Sequence, residues 1–506
     1  MPQAWFLAPI DCVEDVCLSL NLIDDPWIPV ILKDGSRRVI APWQMADSDV
    51  IRPDWPRADL NLACLELLIG LVYLADPPAH VEDWDDRRKP DPARLRLRLA
   101  AYAPAFNLLG EGPLFLQDLD PLEGDANPAD MLFIDSAGTN TARNNADLMV
   151  HRDRYTALDP ALAAMALYTF QAHAPAGGAG NRTSIRGGGP LVTLVDPGRG
   201  LWDMVWANVP DGVPGQMIDL PWMRATRVSD KGAVTHPPEG RSFGVEAFFG
   251  MPRRLRLVAD GAGVTGVVQR PFGTNYGGWV HPLTPYYRMK AGEELLPVHP
   301  RAGLFGYRHW LGILAGSADG LRDCAACLTA WQSRDRRAQV SVLVAGWAMD
   351  NMKARDFTLS SQPYVDLPPV ALVMVQGMIL AAEQAALALR GALEPVLAGG
   401  EAREAEREAF YLRTEADFLT CFDALKSGSA PAEVAVQWLG HLQRHALSQF
   451  DDLALQGLDQ RETDQIARVV QARGYLGVTF KGYGKAGGEL FTRLGMEKPA
   501  KKGKAA

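Results

Sequence analysis

The stretch GGAGNRTSIRGGGP, residues 177–190, sets six glycines around an Asn-Arg-Thr-Ser core. Glycine lets backbone N–H groups approach a ligand with no Cβ in the way, and Arg182 and Arg186 supply positive charge beside them. The chemistry this suits is the cradling of a phosphate. A Walker A loop would need a glycine five residues before Gly-Lys-Ser/Thr, whereas Pro175 stands five before Gly180 and Asn181 follows it. A dinucleotide fingerprint would need GxGxxG between a strand and a helix, but the preceding ALAAMALYTFQAHAP reads as a helix running into the loop. The plainer reading is an ordinary connection between that helix and the strand PLVTLV.

The elements around the loop follow from composition and periodicity. The chain has 506 residues, 47% hydrophobic and 22% charged, enough for two or three domains with large cores. Its net charge of −9 excludes bulk adhesion to DNA, so any nucleic-acid site is local. Met1–Cys17 has acids where a secretory signal would be basic and apolar, no run of eighteen apolar residues stands out, and six scattered cysteines make no disulfide framework. A cytoplasmic protein without membrane contact is expected. Up to about residue 360, β-like runs such as PLVTLV and RLRLV alternate with apolar helical stretches such as LACLELLIGLVYLA, an α+β pattern. Residues 361–482 hold four amphipathic segments separated by short breaks, which predict a four-helix bundle. Residues 483–506, rich in glycine and lysine, predict a basic flexible tail.

Several separated segments together resemble one family. NLIDDPWIPV (21–30), TNTARNNADLMVHR (139–152), the glycine-rich loop with its following strand, VAGWAMDNMKAR (344–355) and the helical C-terminal part resemble, in order and spacing, the large subunit of the type I-E CRISPR Cascade complex. The likeness spans nearly the whole chain. It implies a large α+β N-terminal domain followed by a four-helix bundle, in a subunit that performs no chemistry. It also implies the job: reading a short protospacer-adjacent motif in double-stranded DNA, helping to open the duplex for the guide RNA, and docking a helicase-nuclease. Backbone and small Cascade subunits are the other implied partners. Guide pairing would read the target sequence while the protein makes short groove contacts.

The resemblance also assigns residues. Ala176, Gly177, Gly178, Ala179 and Gly180 match the loop that lies along the minor groove of the motif duplex, where small residues permit close approach. Counting back from the Trp-x-His-Pro at Trp279–Pro282 puts the motif-reading lysine at Arg270, where arginine keeps the charge and changes the hydrogen-bond geometry. Asn351 and Met352 match the duplex wedge, although relatives place a glutamine at the tip. An exposed hairpin turn is the plainer alternative. Asn140, Met149, Val150 and His151 match the loop that meets guide RNA and the backbone subunit, although Met149 replaces a frequent aromatic. Arg182, Arg186, Arg253 and Arg254 are candidate DNA-backbone contacts; for the Arg253, Arg254, Arg256 cluster a solvated strand edge is the alternative.

No cofactor is expected. The pair Cys324 and Cys327 has no second pair at ligand spacing, and the matching segments lack the zinc cysteines of some relatives. The competing class is a nucleotide-dependent enzyme using the glycine-rich loop, against which stands the lack of HExxH and GxSxG motifs.

Overall fold

A computed structural model describes residues 19–136, 138, 143–145, 151, 154–178, 180–317, 319–334 and 340–499. The chain forms two compact units. The first comprises Met1–Thr284, Pro297–Ala302 and Ser333–Ser361; the second comprises Pro285–Leu296, Gly303–Gln332 and Gln362–Ala506.

The first unit opens on a small sheet of β1 (Ile28–Leu32), β2 (Arg37–Ile40) and β3 (Val50–Pro53), with β1 central. Helix α1 (Ala58–Ala75) is apolar on every side and 89% buried. By length and composition it could cross a membrane, yet here it is the core helix of the unit. Around it stand α2 (Val81–Asp86), α3 (Pro92–Ala100), α4 (Pro160–His173) and α5 (Leu201–Asn208). Asp159 caps α4 by accepting from the Ala161 and Leu162 amides, and Pro160 fits the first helical position, where no N–H is needed.

Two strand systems frame the glycine-rich loop. PLVTLV forms β4 (Val192–Asp196), which pairs antiparallel with β7 (Ser341–Asp350) from Ser341↔Asp196 to Ala345↔Val192. Strand β8 (Lys353–Pro363) flanks β7, so the order is β8-β7-β4. RLRLV lies in β5 (Arg254–Asp260), which forms a hairpin with β6 (Gly263–Arg270). Leu255, Val264 and Val267 turn into the core.

The second unit takes α6 (Ala326–Arg334) as far as Gln332, and its bundle comprises α7 (Pro369–Ala392), α8 (Gly400–Lys426), α9 (Pro431–Ala454) and α10 (Thr463–Thr479). Its core is aromatic: Tyr307 stacks on Phe418 with centroids 4.2 Å apart, and the Trp438 indole donates to Met378 O at 2.9 Å. The unit also takes in residues well before position 361.

The tail expectation is corrected as far as Pro499, and residues 500–506 lie outside the described residues. Residues 484–493 form a fifth helix, α11 (Gly484–Arg493), with Leu490 and Leu494 buried. One glycine that suggested flexibility permits close packing instead, since a Cβ on Gly487 would lie 2.6 Å from Thr479 O, and Gly377 of α7 packs likewise, its Cβ falling 2.2 Å from Arg493 O.

Candidate nucleic-acid interface

The loop leaves the C-terminal end of α4 and turns at once. The Gly177 amide donates to Asn181 O at 3.0 Å, and the Asn181 amide donates to Gly178 O at 3.2 Å. Most of its glycines answer to the fold. Gly180, Gly187 and Gly189 adopt φ of 77°, 78° and 63°, the left-handed region. A Cβ on Gly180 would sit 2.6 Å from the Phe272 ring, one on Gly188 2.5 Å from Pro175 Cα, and one on Gly189 2.4 Å from Trp347 O. At Gly177 it would meet Asn181 Cβ at 2.9 Å. Gly178 differs from all of these. It is exposed, its φ is outside the left-handed region, and a Cβ there would meet no atom of the described residues within 4 Å. Among the described residues nothing requires glycine at that point, so the space a side chain would fill is open to a ligand.

Two sets of contacts tie this loop to the other candidates. On one side the Phe272 amide donates to Gly180 O at 3.0 Å, and the Gln269 side-chain amide donates to Asn181 Oδ1 at 3.0 Å. These hold the loop against the end of β6, where Arg270 is exposed opposite Arg254. On the other side Gly189 packs on Trp347 and Met349 of β7, just before the β7–β8 turn. At that turn Asn351 and Met352 have φ of 47° and 63°. Two successive left-handed residues are the geometry of a two-residue type I′ hairpin turn, whose second position favours glycine. Methionine occupies it at a steric cost, and its side chain is 57% exposed.

Two of the proposed DNA-backbone arginines, Arg186 and Arg253, require correction because they are buried, whereas Arg182 and Arg254 are half-buried and also paired within the unit. Arg186 is 2% exposed, and its guanidinium donates to Glu66 Oε1 at 2.5 Å and Thr284 Oγ1 at 3.3 Å. Arg253 is buried, donates to Pro175 O, and lies over the Phe170 ring at 5.3 Å. Burial pushes its guanidinium down to about 10. Arg254 pairs with buried Asp118 at 2.6 Å, and Arg182 donates to Ser229 Oγ at 2.8 Å and Ser229 O at 3.0 Å. Arg186 and Arg253 thus support the loop from within rather than facing a phosphate.

Residues 21–449 match the family described as CRISPR-associated protein Cse1. The chain belongs to this Cse1 family. Among solved structures it resembles Thermobifida fusca Cse1 at 18% identity and TM-score 0.71, covering 95% of this chain and 99% of that one. Thermus thermophilus CasA (Cse1) gives 19%, 0.70, 91% and 99%, and Cse1 from Acidimicrobium ferrooxidans gives 20%, 0.66, 96% and 100%. A chain of a CRISPR RNA-guided surveillance complex matches at 17% and 0.63, covering 90% and 99%. These likenesses show that the Cse1 fold extends over nearly the whole chain.

Within this Cse1 chain, Asn140, Met149, Val150 and Ala179 lie outside the described residues, and His151 is exposed. Cys327 is buried, Cys324 is half-buried, and burial raises the Cys324 thiol. Among the described residues no group of three His, Cys, Asp or Glu side chains could hold a metal ion. Sequence reading missed Phe272, Gln269 and Asn181, which join the loop to β6. The only signal was the Arg-Pro-Phe-Gly turn after Gln269, with Phe272 at φ 60°.

Proposed function

We propose that this Cse1 chain is the large, non-catalytic subunit of a type I-E CRISPR RNA-guided complex in the cytoplasm. Gly178 and its neighbours Ala176 and Gly177 approach the groove of a motif-bearing DNA duplex, with Arg270 at the groove edge. The β7–β8 turn with Asn351 and Met352 inserts beside the motif and helps the guide RNA displace one strand. The wider reading includes backbone and small subunits as partners and a helicase-nuclease recruited once the strands are exchanged.

The observation that carries this reading is the chain of contacts joining Gln269 and Phe272, which flank Arg270, to the exposed Gly178 turn and the hairpin strand within one unit. Small exposed backbone, one exposed cation and an exposed apolar tip are what minor-groove approach and base-step insertion need. A nucleotide cradle fits less well. The loop begins at the C-terminal end of α4, where the helix dipole disfavours a phosphate, whereas phosphate loops open a helix.

The test assembles the chain with its complex and a guide. Duplexes carrying the matched target beside randomised base pairs are then selected for binding. A short enriched motif that crosslinks to residues 176–180 or Arg270 supports the reading. No enriched motif, or nucleotide turnover by the isolated chain, overturns it.

A further inference from the structure

Glu66, at the middle of α1, is fully buried, and each carboxylate oxygen is committed to a different residue. Oε2 lies 2.7 Å from His173 Nε2, and Oε1 accepts from Arg186 Nη1 at 2.5 Å. His173 is the last residue of α4 before the glycine-rich loop, and Arg186 closes the loop ahead of Gly187. One carboxylate therefore grips both ends of residues 174–185. Backbone bonds complete the neck: the Ser184 amide donates to Ala174 O at 2.9 Å and the Gly189 amide to His173 O at 2.9 Å. Burial alone would raise the Glu66 carboxyl, but Arg186 and His173 hold it below the usual carboxylate range.

A buried ion pair contributes little net stability compared with well-packed apolar side chains, so its place here calls for another reason. We infer that Glu66 is a positioning residue, which through His173 and Arg186 sets the aim of the Gly177–Gly180 turn toward its nucleic-acid ligand. The ligand in this statement rests on the reading of Gly178 given above. The mechanical part does not.

Two measurements on the full chain test the two parts separately. Glu66→Gln alone leaves the Arg186 charge buried without its counter-ion, so Glu66→Gln with Arg186→Met serves as the second variant, leaving no such charge. In the free protein, hydrogen exchange at the Gly177, Asn181 and Ser184 amides is expected to rise roughly tenfold in that double variant, while the β4 and β7 amides stay unchanged. An equal rise in all of these, or none in the loop, overturns the inference. In the assembled complex, target binding by the double variant is compared with and without Gly178→Trp. If Glu66 acts through the turn, the combination loses no more than the larger of the two separate losses. Losses that multiply overturn the positioning role. Wild-type binding by Gly178→Trp alone would instead sink the Gly178 reading, and the exchange result still decides whether Glu66 aims the turn.

Discussion

At the residue scale, Gly178 and Gly180 separate ligand contact from folding. Replacing Gly178 with Trp places a large side chain in open space, so unfolding temperature should hold while target binding falls at least about tenfold. Replacing Gly180 with Ala forces a Cβ into the Phe272 ring at an unfavourable φ, so stability itself should fall by about 1–2 kcal/mol. Thermal melts beside binding titrations check both. Arg270→Ala should cost about 1–3 kcal/mol more on a motif-bearing duplex than on one without it. Equal losses on both duplexes would reassign Arg270 to phosphate contact. The residue scale is also where the sequence was least legible. Arg186 and Arg253 carry the same side chain as Arg270, and nothing in the linear pattern says that two of them face a buried carboxylate and an aromatic ring. Burial is set by where α1 and α4 meet, which is a long-range property. The residues alone did not set Gly178 apart from the other five glycines, because the demands on Gly180, Gly188 and Gly189 come from Phe272, Pro175 and Trp347, all distant in the chain or across a turn.

Elements were read more readily, since period and punctuation are local. PLVTLV, RLRLV, α1 and the long bundle helices have strong apolar patterns, and the structure has them where the patterns lie. The last helix was missed because Gly484, Gly487 and Gly488 resemble a linker when the backbone that Gly487 packs against is unknown. The β7–β8 hairpin yields the element-scale prediction. Met352 sits where glycine would be easier, and strained residues gather at functional positions. Changing Asn351 and Met352 together to Gly should leave thermal stability within about 1 kcal/mol, because relief of left-handed strain offsets the added freedom of the unfolded chain. The same variant should slow strand exchange on a fully paired target and matter little on one already mismatched beside the motif. Equal slowing on both targets would mean that the hairpin contributes to contact or assembly rather than to opening.

For the molecule as a whole, the foundation of the candidate site makes acid the condition to watch. His281 is buried, its Nδ1 accepts from the Leu283 amide at 3.2 Å, and it packs edge-on to Phe248. Burial, followed by the charge of Arg186, holds its pKa well below 6.5. His299, beneath Gly187, is also lowered, again chiefly by burial. Both belong to the first unit. A base whose folded pKa is depressed binds more protons when unfolded, so stability is complete above about 6.5 and declines as pH falls from there toward the folded value. The slope for one such group is about 1.4 kcal/mol per pH unit. Glu66 acts in the opposite sense: its depressed pKa contributes stability above about 4.3 that is lost only in stronger acid, so it adds no slope near neutrality. Exchange at the β4 and β7 amides should therefore quicken between pH 7.5 and 5.5 after correction for intrinsic rates. The His281→Asn variant should show a shallower pH dependence than the parent. An unchanged dependence in that variant would assign the acid sensitivity to other groups and leave His281 as packing alone.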